Sequence, residues 1–99
     1  MAYNIIFDIE VIEKLSDVAE YLEKSWSENT AKEFIQQFDK IIQAISHNPE
    51  IGRKSYKDER IRRLLITEHN ALYYEFTGKE IYLLKLIDTR QNPTKNKFD

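Results

Sequence analysis

Apolar residues at Val11, Ile12, Leu15, Val18, Ala19 and Leu22 recur with the one-sided spacing of an amphipathic helix over residues 11–24. Asp8 stands before it as a candidate N-cap. After "SWSENTAKE" a second stripe begins at Ala31 and runs through Phe34, Ile35, Phe38, Ile41, Ile42 and Ile45. Ser27 or Thr30 can open that helix, Thr30 having capping-box spacing with Glu33. "HNPEIG" closes it, because Pro49 lacks a backbone donor and turns Asn48 away from helical geometry. Two such helices joined by a short loop predict an antiparallel hairpin whose shared apolar face needs a cover.

The rest of the chain has the shorter period of strands. "YNIIF" (3–7), "IRRLLIT" (61–67), "ALYYEF" (71–76) and "EIYLLKLID" (80–88) are rich in β-branched and aromatic residues. "EHN" and "TGK" are short enough for hairpin turns, with Gly78 at a left-handed position. The expected fold is α+β in the order β-α-α-β-β-β over a single domain, residues 1–99. Four mainly antiparallel strands, the first able to pair with the last, lie against the helical hairpin. The last strand is apolar on both parities, Ile81, Leu83 and Ile87 against Tyr82, Leu84 and Leu86, as expected of a central strand covered on both faces. The hairpin covers one face, leaving the other for a partner or a dimer mate. The tail "QNPTKNKFD" is polar and expected to be loosely ordered unless Phe98 docks.

Composition narrows the class. The 99 residues include no cysteine, which excludes disulfides and thiolate metal sites and favours an intracellular address. The start has no basic region followed by a long apolar run, and no stretch is apolar enough to span a bilayer, so a cytoplasmic protein is expected. Net charge is −2, against whole-surface binding to nucleic acid. Residues 1–48 carry four Lys/Arg and nine Asp/Glu, whereas residues 49–99 carry eleven and eight. "RKSYKDERIRR" (53–63) alone holds six basic residues. Such asymmetry fits an anion- or partner-binding surface on an acidic body, and equally solvated helices beside edge strands guarded by lysine and arginine.

No nucleophile elbow, glycine-rich phosphate loop or metal-ligand spacing is present, and no cofactor or metal is expected. His47 suits a helix C-terminus and His69 a hairpin turn. Tyr73, Tyr74 and Tyr82 can stack on bases or pack in a core. The remaining candidates are cations: Arg60, Arg62 and Arg63 at the start of the second strand, Lys85 within the last and Arg90 after it. Guanidiniums that converge bind phosphate or carboxylate through their planar forks of donors. Arg90 joins that cluster if the last strand lies near the second. Alternation puts Arg62 and Arg63 on opposite faces, so only one can face a given site.

"YNIIF", "AKEFIQQFDKIIQAI", "NPEIG", "IRRLLI", "ALYYEF" and "IYLLKLIDTRQNP" together resemble the RelE/ParE superfamily, the toxins of bacterial type II toxin–antitoxin modules, often labelled plasmid stabilisation proteins. The resemblance spans most of the chain and implies the same β-α-α-β-β-β fold and a cognate antitoxin that neutralises the toxin. It implies growth inhibition by one of two routes. ParE-like members poison DNA gyrase; RelE-like members cut mRNA on the ribosome, and a third possibility is an inactive, antitoxin-binding member. On the ribonuclease route the resemblance assigns the site to Arg90, Arg62 or Arg63, Lys54 and Lys57. The tail lacks the tyrosine or histidine usual for that chemistry, and the chain is acidic overall, so the ParE-like route is expected. A homodimer or a toxin–antitoxin hetero-oligomer is compatible with either.

Overall fold

The computed structural model describes residues 2–90. Strand β1 (Asn4–Phe7) leads into helix α1 (Ile9–Ser25), then helix α2 (Glu28–His47), and four further strands follow: β2 (Arg53–Lys54), β3 (Ile61–Thr67), β4 (Asn70–Phe76) and β5 (Glu80–Asp88). The expected α+β order is present, with one strand more than the expected four: the two-residue β2, too short to leave a periodic signal.

Side chains at the helix starts set their boundaries. Asp8 caps α1 by accepting the Glu10 amide at 2.9 Å, and Ser27, not Thr30, caps α2 by accepting the Thr30 amide at 3.0 Å. Asn48 ends α2 one residue before Pro49. The strands order β1-β5-β4-β3-β2, with β1 parallel to β5 and every other pair antiparallel. Gly78 turns the β4–β5 hairpin at φ +96°, where a side chain would be strained.

The helices pack on one face of this sheet. Val11, Phe34, Phe38, Ile42 and Ile45 meet Ile66, Leu72, Tyr74, Ile81, Leu83 and Leu86 in the main core. Burying a large apolar side chain is worth about 1.5–3 kcal/mol, so this layer holds the hairpin to the sheet.

A β-bulge corrects the expected facing of β5. Tyr73 pairs with Lys85 but Tyr74 pairs with Leu83, leaving Leu84 as the extra residue. One extra residue reverses the alternation beyond it. Ile81, Leu83 and Leu86 therefore join the helix-side core, while Ile87 lies with Ala71, Tyr73 and Ile61 on the opposite face. The expectation that Ile87 and Leu83 share a side does not hold. Phe98 and the rest of the tail lie outside the described residues.

Candidate functional site

"NPEIG" and β4 build one corner of the molecule together. The buried Tyr74 hydroxyl donates to the Pro49 carbonyl at 2.8 Å and accepts the Gly52 amide at 2.9 Å. Burial pushes the Tyr74 phenol above its ordinary pKa, and the Gly52 N–H opposes that rise. Arg62 donates to the Glu50 carbonyl at 3.1 Å and to the Gly52 carbonyl at 2.8 Å, with the Glu50 carboxylate 3.8 Å away. A Cβ at Gly52 would lie 2.7 Å from the Tyr74 oxygen, so the turn admits no larger residue without displacement.

This turn launches β2 along β3 and stacks cations across the ladder. Arg53 lies opposite Arg63, and Lys54 opposite Arg62. Like charges directly opposite destabilise a strand pair, which makes the corner a strong electropositive feature on an acidic molecule. Arg63 also donates through Nε to the Tyr73 hydroxyl at 3.1 Å. Arg53 lies over the Tyr56 ring, 4.7 Å from its centroid, and Tyr56 is 86% exposed. Arg60 grips Asp58 with Nε and Nη2 at 3.0 and 2.8 Å. Those hydrogen bonds, helped by the Arg60 amide, hold the Asp58 carboxyl down to about 2.

The five cations of the sequence-derived target set occupy three places. Arg60, Arg62 and Arg63 belong to the basic corner. Lys85 lines a shallow recess of about 300 Å³ with Glu10, Glu13, Lys14 and Asp17 of α1. Arg90 stands at the other end of the sheet. Arg62 is level with Tyr74 and Leu83, and Arg90 lies seven residues beyond Leu83, roughly 20 Å along β5. β4 separates β3 from β5, so the condition for convergence is not met. Arg62 and Arg63 face opposite sides as alternation requires, Arg62 towards the helix layer with Tyr74 and Arg63 towards Tyr73. Lys54 and Lys57 are exposed beside the corner. Tyr73 and Tyr74 are at most 1% exposed, buried in packing and not open for base stacking.

Arg90 makes its own pair, donating to Asp88 through Nε and Nη2 at 3.0 and 2.8 Å. These bonds and the Arg90 amide hold the Asp88 carboxyl down to about 2. The pair sits on the rim of a groove of about 790 Å³ between the helical hairpin and the β3–β4 turn, with Leu22, Phe34, Tyr21 and Trp26 among its walls. Tyr21 and Trp26 are 59% and 73% exposed. Sequence inspection missed both, along with Tyr56. The signal for Trp26 is an aromatic just before the cap of α2 that falls outside both apolar stripes. Among the described residues no group of three or more His, Cys, Asp or Glu is placed to hold a metal, and no helix is long and apolar enough to cross a membrane.

A helical hairpin thus covers one face of a small mixed sheet, with a basic corner after the second helix. The sequence matches the family described as "ParE toxin of type II toxin-antitoxin system, parDE" over residues 5–93, and the chain belongs to that family. The fold is similar to a chain of the chromosomal ParDE toxin–antitoxin system from P. aeruginosa, at TM-score 0.74 and 12% identity over 88% of this chain and 96% of that one. It is also similar to the YoeB dimer from Staphylococcus aureus, at TM-score 0.61 and 15% identity over 92% of this chain and 100% of that one. Comparison with curated protein sequences gives no match.

Proposed function

We propose that this toxin acts by occupying its target, and that the target is DNA gyrase. One observation carries the binding mechanism. Of the cations that a phosphate-cleaving site would have to gather, Arg90 stands at the far end of the sheet from Arg62, Arg63, Lys54 and Lys57, and Arg62 is bonded into the Pro49–Gly52 turn. Cleavage needs charge and proton-transfer groups converging on one scissile phosphate. A binding surface has no such need, and a spread of contacts serves it well. Membership of the ParE family supports gyrase as the target.

The discriminating experiment is pulse-labelling of DNA and protein synthesis in the minutes after the chain is induced without antitoxin. An early fall in DNA synthesis, followed by inhibition of supercoiling by the purified protein, is the expected result. An early fall in protein synthesis with cleavage of translated mRNA would overturn it. Normal growth would identify an inactive, antitoxin-binding member instead.

The basic corner favours one second reading. Arg63, its ladder partner Arg53 and the exposed Tyr56 beneath Arg53 form a surface where a single-stranded RNA could lie, with cations on its phosphates and a base on the ring. On the ribonuclease route the Arg63→Ala variant loses cleavage, whereas Arg90→Ala, at the far end of the sheet, retains it.

The family implies a cognate antitoxin. We infer that an apolar antitoxin segment lies in the groove beside Tyr21 and Trp26, which supplies an apolar floor and a charged rim.

A further inference from the structure

The two edges of the sheet are finished differently. β2 forms one edge and carries Arg53 and Lys54, cations of the kind that keep an edge strand from pairing with another chain. β1 forms the other, and its sequence, "NIIF", contains no charge and no proline, and its pairing with β5 has no bulge.

The outer side of β1 has bonds to give. The Asp8 amide donates to the Leu83 carbonyl at 3.0 Å, so Asp8 faces β5. Direction alternates along a strand, so Asn4 and Ile6 face β5 as well, and Ile5 and Phe7 point their N–H and C=O groups outwards. The Tyr3 amide, next in that outward row, is taken by the Ser46 carbonyl at 2.8 Å. Among the described residues, none bonds to the backbone of Ile5 or Phe7 from that side. Apolar side chains flank the open stretch. Phe7 is 39% exposed, and Ile9 and Ile12 at the start of α1 are 63 and 47% exposed. Ile9 and Ile12 stand three apart and so share one side of the helix. Unpaired strand groups beside apolar surface are a template for a further strand.

We propose that β1 pairs antiparallel with β1 of a second copy of this chain, about a two-fold axis at Ile6, joining two sheets into one. In that register Ile5 of each copy lies opposite Phe7 of the other, and their amides and carbonyls bond across the axis. The strand is its own complement: Ile6 meets Ile6 at the axis, a β-branched pair that packs well on a pleated surface. Antiparallel pairing also sets the two Asp8 carboxylates about 13 Å apart along the ladder, beyond the screening length of about 8–10 Å. The groove assigned to the antitoxin lies at the Asp88–Arg90 end of β5, whereas β1 borders Glu80–Leu83, so that segment does not claim this edge. The dimer leaves both basic corners free, one at each outer edge of the joined sheet. It is independent of the gyrase assignment.

The test follows sedimentation and amide hydrogen exchange of the full chain across a concentration series. As monomer gives way to dimer, exchange at Ile5 and Phe7 is expected to slow about tenfold or more, while Ile6, bonded to β5, is protected throughout. Ile6→Lys puts like charges together at the axis and is expected to remain monomeric, with circular dichroism checking that it folds. Should that variant not fold, exchange in the parent chain decides alone. A parent that is monomeric at every concentration would overturn the proposal, as would a dimer whose Ile5 and Phe7 amides exchange as fast as in the monomer. So would a folded Ile6→Lys chain that dimerises like the parent. Protection of those amides only after antitoxin is added would give the edge to that partner instead, and the proposal would fail.

Discussion

Tyr74 illustrates how one hydroxyl organises a functional corner. It holds both ends of the Pro49–Gly52 turn, so its loss leaves a buried amide and a buried carbonyl short of a partner. Leaving such a group unsatisfied costs about 1–3 kcal/mol, so Tyr74→Phe should lower the urea midpoint of unfolding by that equivalent. Gly52→Ala should destabilise comparably through its clash with the same oxygen, by about 1–3 kcal/mol as for other overpacked sites. The Asp88–Arg90 pair makes a prediction in pH. Asp88 titrates near 2 in the folded chain against an ordinary 3.8, so whatever stability it contributes is present above about pH 4 and is lost as pH falls towards 2. The pair is local and partly exposed, so its share is small. In Arg90→Gln a carboxyl NMR titration should find Asp88 raised from about 2 yet still below its ordinary value, because the residue-90 amide keeps its hydrogen bond. An unmoved titration would show that another group holds it down.

At the scale of elements, the two helices and three hairpin-linked strands follow from local chemistry. Asp8 and Ser27 stop the chain entering a helix earlier because their side chains take amides that helical residues cannot. Ser27→Ala should therefore cost about 1 kcal/mol, measured by denaturant unfolding, with α2 fraying from its first turn. The spacing of Val11, Leu15, Val18 and Leu22 was legible because a helix repeats its contacts every few residues whatever it packs against. Strand β5 was legible in extent but not in facing. "YLLKL" contains no glycine or proline to announce the bulge at Leu84. The irregularity comes from fitting β5 to β4, a property of two strands and not of one. β2 escaped for a related reason: it is a strand only because Arg63 and Arg62 stand beside it.

The whole molecule sets its charges apart in a way that matters for its partners. The acidic half of the sequence supplies both helices, and the basic half supplies the corner and the edge at β2 and β3. The helix-side groove offers apolar walls and the chain's single tryptophan, remote from that corner. Adding a peptide that carries the antitoxin's apolar segment should therefore shift Trp26 emission to the blue, as an exposed indole becomes covered. Trp26→Ala should weaken the complex at least tenfold, about 1.4 kcal/mol, while leaving inhibition of the target intact. A full loss of inhibition in that variant would place the target contact in the groove as well.

Apart from the two-residue β2, helix positions, strand extents, hairpins and element order were determined by the sequence alone, because periodicity, capping and turn chemistry act between residues close along the chain. The candidate cations were equally plain as residue types. Tertiary structure decided what they do. Register placed Arg90 roughly 20 Å along the sheet from the level of Arg62, and strand order put β4 between their strands. Pairing turned Arg62 inward to the Pro49–Gly52 turn, and the bulge moved Ile87 to the second face. Facing and neighbourhood in a sheet depend on register between distant segments, and that is fixed only when the strands meet.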